Sequence, residues 1–173
     1  ASMTEDQFVD LLAAITEWSQ TINQGWLEDD LNSKFGQQRW ESLKSCGLTG
    51  LLNSQAVGGL GLNALQAARF MVCFGEQCLD GGLSFALCTH LCSTSLPLER
   101  FGSPALRERL LPGVVAGELI GAHAITEAES GSDAFAMSTQ AVEYEGGWLL
   151  SGTKIFVSNG PIADHIVVYA CTD

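Results

Sequence analysis

The sequence predicts an α+β chain, all-helical over residues 1–119 and β-structured over residues 120–173. Three observations carry this. Upstream of Leu119, apolar residues recur at three- and four-residue spacing behind helix caps. From Thr139 to Tyr144 the pattern alternates, Gly146-Gly147 offers a turn, and a new apolar run begins at Trp148. Two dense pieces of small and polar residues flank that hairpin, AITEAESGSD (Ala124 to Asp133) and SGTKIFVSNG (Ser151 to Gly160).

Taken in order, Ala1-Ser2 ahead of Met3 reads as an appended pair. Thr4 and Gln7 form a capping box, followed by Phe8, Leu11, Leu12, Ile15 and Trp18 on one helical stripe that ends near Gly25. Asn32 or Ser33 starts a second helix carrying Phe35, Trp40 and Leu43, stopped by Gly47. Gly58 to Gly61 lacks the full dinucleotide pattern and follows no strand, so it reads as a connector. Asn63 caps a long helix through Cys78, with Leu65, Ala68, Val72 and Gly75 on one side. After Asp80-Gly81-Gly82 comes an apolar helix from Leu83 to about Leu96 that carries His90, Ser93, Thr94 and Ser95. Its hydroxyls are suited to bond to the preceding turn, and His90 reads more readily as a satisfied histidine than a catalytic one. Ser103 and Pro104 open a helix to Leu111, with Arg107, Glu108 and Arg109 on a solvated face. Leu119 to Ile125 begins the β portion, and Ile166 to Ala170 reads as a buried strand.

Composition excludes several classes. A formal charge of −12, from 20 acids and 8 bases, does not suit a nucleic-acid backbone as partner. No apolar run is long enough to span a membrane, and no secretory leader is visible. The six cysteines form no C-x-x-C pair and the three histidines show no zinc spacing, so no metal site is expected. Most of the cysteines lie in apolar helical runs and read as small reduced hydrophobes.

The two dense pieces carry the chemistry. If Ile155 to Ser158 is extended, Phe156 and Ser158 share a face, presenting an aromatic ring beside a hydroxyl. Such a pair suits a planar heteroaromatic ligand. Thr126, Ser130 and Ser132 add hydroxyls, and Gly131 lets backbone N–H groups approach a phosphate. Together they suggest a dinucleotide laid across a β-domain; the alternative is an ordinary hairpin with a polar turn.

At these residues the chain resembles the acyl-CoA dehydrogenase family. Thr126, Glu127, Gly131, Ser132 and Asp133 fit its first signature, roughly T-E-P-x-A-G-S-D. Gly152, Lys154, Asn159 and Gly160 fit its second, roughly G-x-K-x-W-I-T-N-G, with Phe156 for the usual Trp and Ser158 for the usual Thr. Ala128-Glu129-Ser130 departs from the pattern and adds a charge near the expected phosphate turn. Upstream, Cys46 to Leu52, Gly58 to Leu62, Phe101 to Pro112 and Ala116 to Leu119 follow the family's order, so the resemblance covers nearly the whole chain.

The resemblance implies a helical N-terminal domain (1–119), the first part of an antiparallel, barrel-like middle domain (120–173), and a C-terminal helical bundle that this chain lacks. It implies FAD-dependent α,β-dehydrogenation of an acyl thioester, in which a carboxylate takes the α-proton while the β-hydride goes to the flavin. The base, usually a glutamate, is expected in the absent part, so no catalytic residue is assigned. Implied flavin contacts are Ile125 and Thr126 at the pyrimidine edge, Gly131 and Ser132 at the pyrophosphate, Phe156 beside the ring system and Ser158 near N5. Ser132 also approaches the thioester arm, and His90 and Thr94 lie on the helix expected to line the acyl channel. A coenzyme A thioester is the first substrate reading and a carrier-protein thioester the second, since Phe-Val-Ser resembles members from biosynthetic pathways. Two more readings stand beside these: a monooxygenase or oxidase on the same scaffold, and a non-catalytic truncated piece exposing apolar faces. An electron-transfer partner, a homotetramer or dimer at full length, and a cytoplasmic location complete the expectations.

Overall fold

The computed structural model describes residues 3–172, so the reading of Ala1-Ser2 as an appended pair lies outside the described residues. Among the described residues seven α-helices precede the first strand: α1 Glu5–Ile22, α2 Trp26–Leu31, α3 Gln37–Ser45, α4 Ala64–Gln77, α5 Gly81–Cys88, α6 Leu96–Phe101 and α7 Pro104–Val115. The expected capping box of Thr4 with Gln7 is present, and Asn63, expected as a cap, forms a second box with Gln66. Ser103 accepts from Leu106 N, and Pro104 occupies the first turn of α7. That helix passes Leu111 and carries Pro112 within it before ending at Val115. The core gathers Phe8, Ile15, Trp40, Leu43, Leu48, Phe70, Phe74, Leu87 and Leu91.

Three sequence expectations give way here, and a fourth gains its direction. Neither Asn32 nor Ser33 starts the second long helix: a short α2 intervenes, and α3 begins after Gly36 without a side-chain cap. In α4 Leu65, Ala68, Val72 and Gly75 do share one side, and it is the outward one, while Gln66, Phe70 and Phe74 are buried. The two phenylalanines bury more area, and they stack on each other at 5.8 Å, so their face wins the core. The helix from Gly81 does not stop at Leu96 but runs on to Phe101 through a wide π-helical stretch, Thr89–Ser95. Pro97 explains the widening, since it cannot donate backward and its ring crowds the carbonyl four residues earlier. Finally, Ile166 and Val168 are half-exposed, because among the described residues their strand pairs on one edge only.

The β portion holds β1 Gly121–Ala124, β2 Gln140–Tyr144, β3 Gly147–Ser151 and β4 His165–Val168. β2 and β3 form the expected antiparallel hairpin, with left-handed Glu145 (φ 49°) and Gly146 (φ 79°) at its tip. β1 and β4 pair in parallel, with Gly121 opposite His165. The strand pairing is therefore mixed rather than purely antiparallel. A parallel pair needs a long crossover, and the excursion from Ile125 to Asp164 supplies one. Backbone bonds from Ala141 N to Cys171 O and from Cys171 N to Thr139 O tie the hairpin to the chain following β4.

Candidate functional site

The two polar segments meet because Glu127 and Lys154 meet. Glu127 is buried and collects four donors besides the lysine: Ser138 N (2.7 Å) and Oγ (2.6 Å), and Thr139 N (2.9 Å) and Oγ1 (2.5 Å). Lys154 Nζ lies 2.8 Å from Glu127 Oε1 and donates to the Ile125 carbonyl at 2.9 Å. The ammonium, then the Ser138 and Thr139 donors, hold the Glu127 carboxyl well below the usual carboxylate range. Ile155 N donates to Thr126 O at 2.9 Å, so backbone and ion pair together weld the first segment to the second.

Asn159 supplies the second anchor. Its backbone is left-handed (φ 63°), which asparagine tolerates, and its Nδ2 donates to Ala86 O at 3.0 Å and Gly121 O at 3.1 Å. One amide thus fixes the second segment against both α5 and β1.

Between these anchors lies a cavity of about 240 Å³, lined by Ile125, Thr126, Phe156 and Ser158 together with Phe85, Cys88, Thr89, Cys92, Ser93 and His123. A second hollow, of about 530 Å³, shares Phe85 and Ser158 with it. The structure brings Phe156 and Ser158 to one cavity, though not by strand alternation. Residues 152–157 are not a strand, and Phe156 is left-handed at φ 53°, with its side chain 87% exposed. A β-branched or aromatic residue held in that conformation costs about 1–3 kcal/mol. Among the described residues, no protein group hydrogen-bonds the hydroxyls of Thr126 and Ser158.

The remaining expected residues fall elsewhere. Gly131 and Ser132 sit on an exposed bend outside the cavity lining, and a Cβ on Gly131 would meet nothing within 4 Å. Ser130 is buried beside that bend and donates to Asp133 O at 2.7 Å. Thr94 and His90 are fully buried and line no wall of this cavity. Thr94 Oγ1 donates to His90 O at 2.5 Å. His90 accepts from Gly121 N at Nδ1 (3.2 Å) and donates to Val114 O from Nε2 (3.0 Å), while Trp40 packs edge-on at 5.3 Å. Burial holds the ring neutral, lowering its pKa to about 4.

Both family models fit: acyl-CoA dehydrogenase N-terminal domain over residues 5–118 and acyl-CoA dehydrogenase middle domain over residues 122–173. The chain belongs to the acyl-CoA dehydrogenase family. Among curated family members, an L-prolyl-(peptidyl-carrier protein) dehydrogenase from a Serratia species is 40% identical over 152 residues, covering 85% of this chain and 39% of the relative. The mitochondrial isovaleryl-CoA dehydrogenase of Oryza sativa subsp. japonica is 36% identical over 134 residues, covering 78% of this chain and 32% of its own length. Among solved family structures, an FAD complex of PigA superposes with a TM-score of 0.91 at 34% identity, covering 100% of this chain and 45% of that one. A prolyl acyl carrier protein oxidase, AnaB, matches with a TM-score of 0.90 at 28% identity, over 99% of this chain and 46% of its own. The chain spans less than half the length of these acyl-CoA dehydrogenase relatives.

The sequence marks Glu127, Lys154 and Asn159 as motif matches without showing their physical work. A lysine and a glutamate amid small and apolar residues are the available signal, because two buried opposite charges must find each other. Nothing in the sequence singles out His123, Cys88 and Cys92 for the site. Their approach to the cavity depends on the parallel pairing and the wide helical turn, which no local pattern announces.

Proposed function

We propose that this chain is the N-terminal half of an FAD-dependent dehydrogenase that introduces an α,β double bond into an acyl thioester carried on a carrier protein. The observation that carries this is the clustering of Phe156, Ser158, Ile125 and Thr126 around one cavity, with an outward ring and two uncommitted hydroxyls. That donor set suits a flavin ring: Phe156 packs on its face, Ser158 donates to its edge, and the Ile125–Thr126 backbone meets its pyrimidine side. The hollow is smaller than the roughly 300–1,000 Å³ of a complete ligand site. It takes the ring end, and the exposed Gly131–Ser132 bend takes the phosphates. When bound, the flavin supplies hydride acceptance; the residues of this chain bind and orient it. None of them is assigned as the base.

Likeness to two proteins named for prolyl-carrier substrates supports the carrier-bound thioester over the coenzyme A thioester, and a prolyl group is the acyl group to test first. Likeness to isovaleryl-CoA dehydrogenases keeps coenzyme A as the second reading. The name of AnaB, an oxidase, makes molecular oxygen an electron acceptor to test beside an electron-transfer protein. The test uses the full-length protein: its flavin absorbance, and bleaching of that absorbance by prolyl-carrier protein and by branched acyl-CoA. Bleaching by the acyl-CoA alone would overturn the carrier reading, and a colourless protein that takes up no added FAD would overturn the flavin reading.

A further inference from the structure

His123 is a polar group that takes no part in either anchor. It stands on β1 two residues before Ile125, which follows the strand's end, and both residues line the 240 Å³ cavity. The ring is half-buried and packs edge-on against Tyr169, centroids 5.1 Å apart. Among the described residues no group hydrogen-bonds its nitrogens. Its donor and acceptor therefore remain available to whatever occupies the cavity.

Among the described residues it is the one imidazole lining that cavity. From the π-helical side come the Cys88 and Cys92 thiols and the Thr89 and Ser93 hydroxyls. Burial and the neighbouring Cys88 push the Cys92 thiol up to about 11, so it stays uncharged near neutrality. Tyr169 comes from beyond β4, and His165 stands on β4 opposite Gly121, two positions back in register. Past Ile125, the Glu127 carboxylate is matched by Lys154. Among the described residues no carboxylate or ammonium lines the cavity itself. His123 is neutral at rest, since burial disfavours its charged form.

We propose that His123 is a cofactor-facing proton site that couples reduction of the flavin to uptake of a proton from solvent. This rests on the flavin reading above. A bound flavin would supply hydride acceptance, and the negative charge this adds would fall beside a lining that offers no titratable cation other than His123. The imidazole answers by taking one proton from water, and it returns that proton when the electrons leave. Its proton affinity is then higher beside the reduced ring than beside the oxidised one. Where only the reduced form holds the extra proton, the midpoint potential falls more steeply with pH.

The experiment measures the midpoint potential of the flavin-loaded, full-length protein by spectral titration, in steps between about pH 5 and 8 where histidine changes charge. The wild type is expected to show a stretch steeper by about 30 mV per pH unit, one proton per two electrons. His123→Gln and His123→Phe are expected to lack that stretch. A wild-type profile without it, or a stretch that survives in both variants, overturns the proposal. Should either variant release flavin, the wild-type imidazole is titrated by NMR in both redox states, and an unshifted histidine overturns the proposal equally. A protein that carries no flavin would instead overturn the reading beneath it, and its missing visible band makes the two failures distinct.

Discussion

Lys154 Nζ reaches both the Glu127 carboxylate, at 2.8 Å, and the Ile125 carbonyl, at 2.9 Å, so one ammonium holds the strand end and the loop that together wall the cavity. Removing it leaves Glu127 buried with only amide and hydroxyl donors. Lys154→Met is expected to lower the melting temperature of the full-length protein by several degrees and to weaken its hold on flavin. Adding Glu127→Gln to that variant is expected to recover part of the loss. Thermal unfolding of both singles and the double checks this, and strict additivity would show that the two side chains are uncoupled.

The Glu127 carboxyl is depressed below its ordinary value of 4.5 in the folded protein. The stability it contributes is complete above that value and is lost only as pH falls through the still lower folded value. The difference in urea midpoint between wild type and Glu127→Gln should therefore be flat from neutrality to about pH 5 and shrink only in stronger acid. A difference that already closes at pH 6 would contradict this assignment.

His90 governs a different window. Its folded pKa, about 4, lies below its ordinary 6.5, so the unfolded chain binds the extra proton in between. Stability is fully present above 6.5 and falls as pH drops toward 4. At about 1.4 kcal/mol per unit the total is on the order of 3 kcal/mol. His90→Gln is expected to be less stable at neutrality and less steep across that window, as read from urea midpoints at half-unit pH steps.

Phe156 separates stability from function. Its ring is 87% exposed and its backbone left-handed, so Phe156→Gly relieves strain while removing little packing. The expected result is unchanged or slightly raised stability, by up to about 1 kcal/mol, with markedly weaker flavin binding. Flavin fluorescence released on dilution, set beside the melting temperature, reads both at once.

Asn159 tests the second anchor. Asn159→Gly keeps the left-handed backbone and forfeits two hydrogen bonds, for a loss of about 1–3 kcal/mol. Asn159→Asp points a carboxylate at the same two carbonyls and is expected to lose more. Denaturant unfolding ranks the two variants, and the opposite order would mean that the amide does not carry the contact.

Legibility in the sequence follows the range of the interaction. Helix starts written in three adjacent residues, at Thr4, Asn63 and Ser103, and the β2–β3 hairpin are local and can be read directly. What requires distant partners cannot. The burial of Phe70 and Phe74 over Leu65 and Val72 is decided by which face meets α1 and α5. The parallel register of Gly121 with His165 spans a long excursion. In the site, strand alternation brings Phe156 and Ser158 together for the wrong geometric reason. The chain reaches the same juxtaposition through a left-handed turn that only Asn159 and its two carbonyl partners make intelligible.

The widened coil from Thr89 to Ser95 sets the angular phase of everything before it against everything after it. An ordinary helix turns about 100° per residue, so deleting one residue there would tighten the coil and swing one flank around the axis. Either Phe85 and Cys88 would leave the cavity, or Leu96 to Phe101 would lose their seat. Insertions and deletions at this spot are consequently rotations rather than changes of length, and the chain tolerates them only in whole turns.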